Sequence, residues 1–359
     1  MLEHKSPSHW KKDIAPYEKP IMKTSILQIV NTIVPFLLLW FLAYQSLSVS
    51  YWLTLPIAIL ASGFVIRTFI IFHDCCHHSF FRNRMANDIV GTITGVLTFT
   101  PYRQWRNSHT IHHATSSNLN KRGEGDIWVL TVDEYIASSL WRRMLYRLYR
   151  NPFILFGFGP FYLFLVSYRF NRKNAKTKER INTYITNAAI VGLSALCCYL
   201  VGWQAFLLIQ GPIFYFSGLG GIWLFYVQHQ FEDSYYEHEG EWDYVKAAID
   251  GSSFYKLPRI LQWLTGNIGF HHVHHLSPRV PNYFLEEVHE NTPLLSNVNT
   301  ITMKTSLQSI RFHLWSEQDM KFKSFKDIKP LLARGSNQQE DHKSIPVSIP
   351  VPVPAATKK

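Results

Sequence analysis

The sequence predicts an all-α integral membrane protein: four transmembrane helices in two hairpins, one re-entrant or interfacial segment, and a histidine-rich cap on the cytoplasmic side. Three observations carry that prediction. Residues 25–66 and 181–230 contain no Asp, Glu, Lys or Arg, and each block is more than twice the ~20 residues that cross a bilayer. Only 17% of residues are charged and 15% are aromatic, where a soluble domain carries roughly 25% charged residues. Outside the apolar blocks, histidines gather in three short clusters. A soluble globular enzyme, a disordered chain and a disulfide-stapled secreted module are excluded. The chain-wide mean hydropathy of −0.05 conceals this, because it averages apolar blocks with basic stretches.

The chain divides into a cytoplasmic N-terminal segment (1–24), a membrane domain (25–315) and a cytoplasmic C-terminal tail (316–359). The first 23 residues are polar and basic, and the apolar stretch behind them is too long for a cleaved signal peptide. Residues 25–47 read as the first span. A turn at Ser48–Ser50 leads to a second, Tyr51–Ile66. Arg67 marks its exit, and the apolar character runs on through Phe69–Phe72, so the helix should project from the membrane and carry the first cluster on its end. Residues 102–150 are polar. Residues 153–168 are apolar but short, with Gly157, Gly159 and Pro160 in the middle. Residues 181–202 and 203–228 form the second hairpin. The end of the chain, SIPVSIPVPVPAATKK, reads as disordered or extended.

Charge placement sets the topology. Lys5, Lys11, Lys12, Lys19 and Lys23 precede the first span, which puts the N-terminus inside. Arg142, Arg143, Arg147 and Arg150 precede the 153–168 segment, and Arg169, Arg172, Lys173, Lys176, Lys178 and Arg180 follow it. Both flanks belong inside, so the segment should dip into the membrane or lie along it. All three histidine clusters then share the cytoplasmic face. The net charge of +11 is accounted for by loops beside an anionic leaflet rather than by nucleic acid. The cysteines form two vicinal pairs, Cys75–Cys76 and Cys197–Cys198, which is neither a disulfide framework nor zinc-finger spacing.

The clusters are His73-Asp-Cys-Cys-His77-His78, His109-Thr-Ile-His112-His113 and His271-His272-Val-His274-His275. Spacings of three and four put histidines on one helix face, and neutral imidazole is the commonest protein metal ligand. HxxxH, HxxHH and HxxHH supply His73 and His77; His109, His112 and His113; and His271, His274 and His275. That set is too large for one tetrahedral zinc and suits two ions, each five- or six-coordinate. No HExxH supplies a protease general base, and no ExxH pair marks a soluble carboxylate-bridged di-iron bundle. Imidazole serves zinc, copper, iron and nickel alike. The apolar surroundings favour a redox metal acting on an unactivated C–H bond. A histidine-lined metal transporter is the reading from another class, and it expects polar groups near the midplane of the spans.

The stretches IIFHDCCHHSFF, SHTIHHATSSNLNKRGEGDIW, FYVQHQFEDSY and LTGNIGFHHVHHLSPRVPNY resemble the membrane fatty acid desaturase family over about residues 25–315. Within it they are most similar to the Δ5 acyl-lipid (phospholipid) desaturases of Gram-positive bacteria. The resemblance implies a di-iron centre, O₂ as co-substrate, and a cis double bond introduced into saturated acyl chains of membrane phospholipids. It implies a cell-membrane location, with both termini and the boxes cytoplasmic. It adds a ninth ligand, His229, which alone would read as an interfacial histidine. It leaves His78 and His272 outside the templates, as packing or supporting residues. Related acyl-CoA enzymes place an Asn four residues before the ninth histidine to hold one iron through water; Phe225 stands there in this chain. The family is shared with hydroxylases, which use the same irons. No flavin or nicotinamide fingerprint and no fused cytochrome b5 domain is present, so electrons should come from outside, with ferredoxin or flavodoxin as the expected donor. Asp74, Asp126, Glu232 and Asp233 lie near the clusters and are candidates to orient the imidazoles. Trp105, Trp128 and Trp263 are candidates to line an acyl tunnel or to form an interfacial belt.

Overall fold

The computed structural model describes residues 9–332. Lys5 and the SIPVSIPVPVPAATKK tail lie outside the described residues. A short helix, α1 (His9–Ile14), precedes four helices long and apolar enough to cross a membrane: α2 (Met22–Ser46), α3 (Tyr51–Cys76), α8 (Thr177–Val201) and α9 (Trp203–His229). Between them lie α4 (Arg84–Leu97), α5 (Tyr102–Thr115), α6 (Val132–Ala137) and α7 (Leu140–Tyr149). Beyond α9 the third histidine cluster occupies the six-residue α10 (His271–Leu276).

The spans carry large apolar side chains outward, such as Leu37, Leu38, Val191 and Leu200. They bury small and hydroxylated residues inward, including Ala43, Ala58 and Ala61. This inversion of the soluble pattern is what lipid as solvent requires. The first hairpin closes through Ser46 and Thr54, whose hydroxyls stand 2.8 Å apart, while the Ser50 hydroxyl accepts the Trp52 N–H at the start of α3. α3 has 26 residues, about 39 Å at 1.5 Å per residue. That exceeds the ~30 Å hydrocarbon layer, so the bilayer cannot enclose the whole helix, and His73 lies in its last turn.

Three features add detail to the sequence reading. Arg67 is not a free exit marker. It is buried inside α3, donates to Thr32 Oγ1 (3.1 Å) and the Trp263 carbonyl, and lies 4.0 Å from the Trp263 ring. Phe153–Val166 is helical but built largely of wide π-type turns, and with Arg169 it bends 59° from α7. It packs on α9 through Phe156, whose ring lies 5.2 Å from those of Trp223 and Tyr226. The cap is not wholly helical. Leu130–Thr131 pairs parallel with Leu314–Trp315, which pairs antiparallel with Lys321–Lys323, and Phe254–Lys256 pairs with Thr300–Thr302. Such two- and three-residue strands are too short for alternation to reveal. Regular structure thus continues past residue 315.

The topology is open to a direct test. In a chain with Cys197 and Cys198 replaced by serine, Ser48→Cys is expected to react with an impermeant maleimide on intact cells. Lys176→Cys should react only after permeabilisation. Reaction of Lys176→Cys in intact cells would place the 153–168 segment across the bilayer.

Candidate metal centre

Four elements, distant in sequence, meet at one end of the bundle. The end of α3 brings His73 and His77, α5 brings His109, His112 and His113, the end of α9 brings His229, and α10 brings His271, His274 and His275. They sort into two groups: His73, His77, His109, His113 and His274 in one, and His112, His229, His271 and His275 in the other. Within each group the candidate ligand atoms lie within 4.8 Å of one another. The boxes are therefore not units, as their common faces suggested. In each HxxHH the outer pair, four residues apart, stays on one face, while the middle histidine sits about 100° from its neighbour. It is turned to the other group: His112 in α5, His274 in α10.

The ring nitrogens show what the groups lack. Nε2 atoms face one another at 3.0 Å (His73–His109), 3.1 Å (His109–His113) and 2.9 Å (His113–His274) in the first group. In the second the distances are 3.0 Å (His229–His271) and 3.1 Å (His271–His275). Nε2 of His77 and of His112 is buried without a hydrogen-bond partner. Meanwhile Nδ1 of His73 faces Asp74 (3.2 Å), that of His112 faces Asp126 (2.5 Å), and that of His229 faces the Gly251 carbonyl (3.2 Å). A neutral imidazole has a single N–H, and in these three rings the outward oxygen takes it. Their inward nitrogens then carry lone pairs turned into the groups, and that of His112 has no hydrogen-bond partner, an arrangement that a bound cation would satisfy. Burial first, and then the neighbouring imidazoles, push His109, His113, His271, His274 and His275 well below the ordinary value of 6.5. They are held neutral, the state a metal needs.

A match to the family described as fatty acid desaturase spans residues 50–298. The chain is also 59% identical over 347 residues to a fatty acid desaturase of Bacillus subtilis, covering 97% of this chain and 95% of that one. The chain belongs to the fatty acid desaturase family. It is 26% identical over 297 residues to a chloroplastic omega-6 fatty acid desaturase of Glycine max, covering 78% of this chain and 66% of that one. It is 26% identical to an sn-1 oleoyl-lipid 12-desaturase of Synechocystis, covering 66% and 68%. The desaturase is thus an oxidoreductase, and its histidine boxes are those the geometry brings together.

The desaturase sets its imidazoles with two of the four carboxylates that sequence proximity suggested. Asp74 also accepts the Asn282 backbone N–H (2.7 Å) and side-chain amide (2.8 Å), and so ties the first box to the chain after the third. Asp126 reaches α5 because Gly125, at φ +80°, lies against it. A Cβ there would stand 2.9 Å from the Ser108 carbonyl and 3.0 Å from His112 Cβ. Arg122 fixes this loop by donating to Leu119 and Val129 carbonyls and to both oxygens of Glu134. Glu232 and Asp233 are exposed and do not face His229. Its partner is the Gly251 carbonyl, a backbone group that no sequence pattern announces. A Cβ at Gly251 would collide with Ser117 Oγ and stand 2.5 Å from the Ala247 carbonyl.

His78 and His272 fall outside both groups. His78 Nε2 faces Asp88 at 3.1 Å, and His272 Nε2 faces His289 at 3.0 Å. The Phe225 ring lies 5.3 Å from that of His112 and 5.2 Å from that of His229. It borders a small cavity beside the second group, also lined by Asp126, Gln230 and Tyr236. Of the three tryptophans, only Trp105 reaches the histidines, stacked on His109 at 4.1 Å. Trp128 packs on Tyr146 and Tyr149, and Trp263 covers Arg67.

Two expectations follow from this geometry. Gly251→Ala should displace the His229 acceptor and empty the second group, lowering the metal content of the purified protein toward about half, since loss of an outer hydrogen bond weakens metal affinity ~10–100-fold. Full metal content in that variant would contradict the role of the carbonyl. Acid should act through the depressed histidines. Below the ordinary value of 6.5 the unfolded chain binds protons that the folded cluster refuses, and protons also compete with metal. Stability is therefore complete above that value and falls as pH drops below it. Protein dialysed at about pH 5 should lose metal and melt at lower temperature than at about pH 8; equal metal content and Tm would contradict this.

Proposed function

We propose that this desaturase introduces a cis double bond, at the Δ5 position, into saturated acyl chains of membrane phospholipids. The metal is iron, held as two ions by His73, His77, His109, His113 and His274 and by His112, His229, His271 and His275. The observation that carries the reading is two adjoining all-imidazole groups, with no carboxylate among their members, on a scaffold of lipid-facing helices. Imidazole donors accept iron, and the lipid-facing scaffold favours a redox metal acting on an unactivated C–H bond. The chemistry that a pair of irons supplies when bound is the O₂-dependent removal of hydrogens from two adjacent carbons, with water and the alkene as products.

The chain's own residues bind and orient. Trp105, Phe69 and Phe72 form an aromatic wall, with ring centroids 5.1–5.4 Å apart. Trp105 and the wall adjoin His73 and His109. An acyl chain laid along it is kept from water and held against the first group, so that depth of insertion selects the carbons. The relative named as an sn-1 oleoyl-lipid desaturase supports a lipid-bound substrate. Electrons come from a ferredoxin or flavodoxin docking on the basic cytoplasmic face, which complements an acidic partner. The location is the cell membrane, with the centre cytoplasmic.

Expression in a host without desaturases tests this by mass spectrometry of its fatty acids. The expected product is a Δ5 monounsaturated acyl chain, formed only with O₂. Hydroxylated chains, or a product formed anaerobically, would overturn the reading. Alanine at any of the nine histidines should abolish product while the protein still inserts. His78→Ala and His272→Ala should keep measurable activity, reduced at most ~10–100-fold. If His272→Ala is inactive and His271→Ala active, the ligand assignment in α10 is wrong.

A further inference from the structure

An open groove lies between α4 and α8, lined by none of the nine histidines of the two groups. Ile89, Thr92 and Ile93 line it from α4, and Ile181 and Ile185 from α8. The four isoleucines are half-exposed, at 50–57%. Each pair is four residues apart and so forms a stripe along its helix. The other end of the groove is polar and holds Asp88, Arg103, Lys178 and Asn182. Asp88 is already engaged. It accepts from the Tyr102 hydroxyl at 2.9 Å, faces His78 Nε2 at 3.1 Å, and pairs with Arg103 and Arg106 at 3.4 and 3.6 Å. Lys178 is exposed, and its ammonium makes no ion pair among the described residues. In the lining one carboxylate stands against one guanidinium and one ammonium, and Arg106 pairs with the same carboxylate from outside the lining, so the groove's head carries net positive charge.

The orientation matches a lipid. Lys178 and Asn182 lie in the first turns of α8, and Ile185 lies deeper along it. The groove therefore runs from a basic surface end into the apolar layer. Apolar walls accept any acyl chain, whereas cations at the head discriminate in favour of an anion. We propose that this groove binds one anionic phospholipid, with an acyl chain between the isoleucines of α4 and α8 and the phosphate between Arg103 and Lys178. The site rests on α8 as a membrane span and is independent of the chemistry at the histidines. Arg103 lies on α5, six residues before His109, about 9 Å along the axis, so the bound headgroup borders the metal cap.

The test uses the full chain in nanodiscs of equal phosphatidylglycerol and phosphatidylcholine. A benzoylphenylalanine photoprobe replaces Ile93 in the groove. In a reference protein it replaces Leu193, which is 43% exposed on α8 and is not among the groove residues. Lipid adducts are identified by mass spectrometry. Adducts at position 93 are expected to be enriched severalfold in phosphatidylglycerol over those at 193. Lys178→Gln, a change at an exposed residue, should cut that enrichment about fivefold, the share of one cation near a headgroup. The same lipid ratio at 93 and 193 would overturn the proposal. So would an enrichment that survives both Lys178→Gln and Arg103→Gln.

Discussion

Nine imidazoles packed together, eight of them buried, are the constraint on which the rest of this structure depends. Each ring removed from water leaves a nitrogen that needs a partner, and an unpaired buried polar group costs roughly 1–3 kcal/mol. Nε2 atoms stand 2.9–3.1 Å apart within each group, Nε2 of His77 and His112 has no hydrogen-bond partner, and protonation would set like charges side by side. A cation bound in each group would resolve both problems. This explains why α3 and α9 carry their histidines on their last turns. The spans supply a rigid, lipid-solvated base, and the site is built just beyond it.

A cluster drawn from four separated elements has to be pinned, and the pins are buried polar groups rather than apolar packing. Asp74, Asn282 and Gln28 form one network joining α2, α3 and the chain after α10, with Gln28 and Asn282 exchanging amide hydrogen bonds at 2.9 and 3.2 Å. Arg150 forms another. It is fully buried and donates to the carbonyls of Trp128 and Phe312, to the Tyr226 hydroxyl, and to Gln230 Oε1, one residue past His229. A buried charge without its partners costs several kcal/mol, so the end of α9, the 126–131 loop and residue 312 are bound to one geometry. Asp126 and His229 then have fixed places from which to hold the second group.

The spans and the three clusters were legible in the sequence because both are repeated signals: long charge-free runs, and histidines at helical spacing. The expected 25–47 and 203–228 spans differ from α2 and α9 by at most three residues at either end. Asp74 was legible because it sits inside the first box, and Asp126, 14 residues after His112, was a candidate only by looser proximity. What could not be read depends on tertiary approach. Glu232 and Asp233, three and four residues past His229, are nearer to it in sequence than Asp126 is to His112, yet the chain turns them outward and brings the Gly251 carbonyl instead. The division of each HxxHH between two groups follows from where α5 and α10 meet, which spacing alone does not fix. Arg67 reads as a membrane exit until Thr32 and Trp263 are seen to enclose it.

The central claim is that the two imidazole groups are two separate metal sites, and anomalous X-ray diffraction from crystals of the purified protein tests it most directly. Two peaks are expected at the iron edge. One should be surrounded by His73, His77, His109, His113 and His274 and the other by His112, His229, His271 and His275, each about 2.0–2.2 Å from its imidazole nitrogens, the usual first-row metal distance. A single peak shared by both groups, or peaks that include His78 or His272 in place of a member of either set, would contradict it.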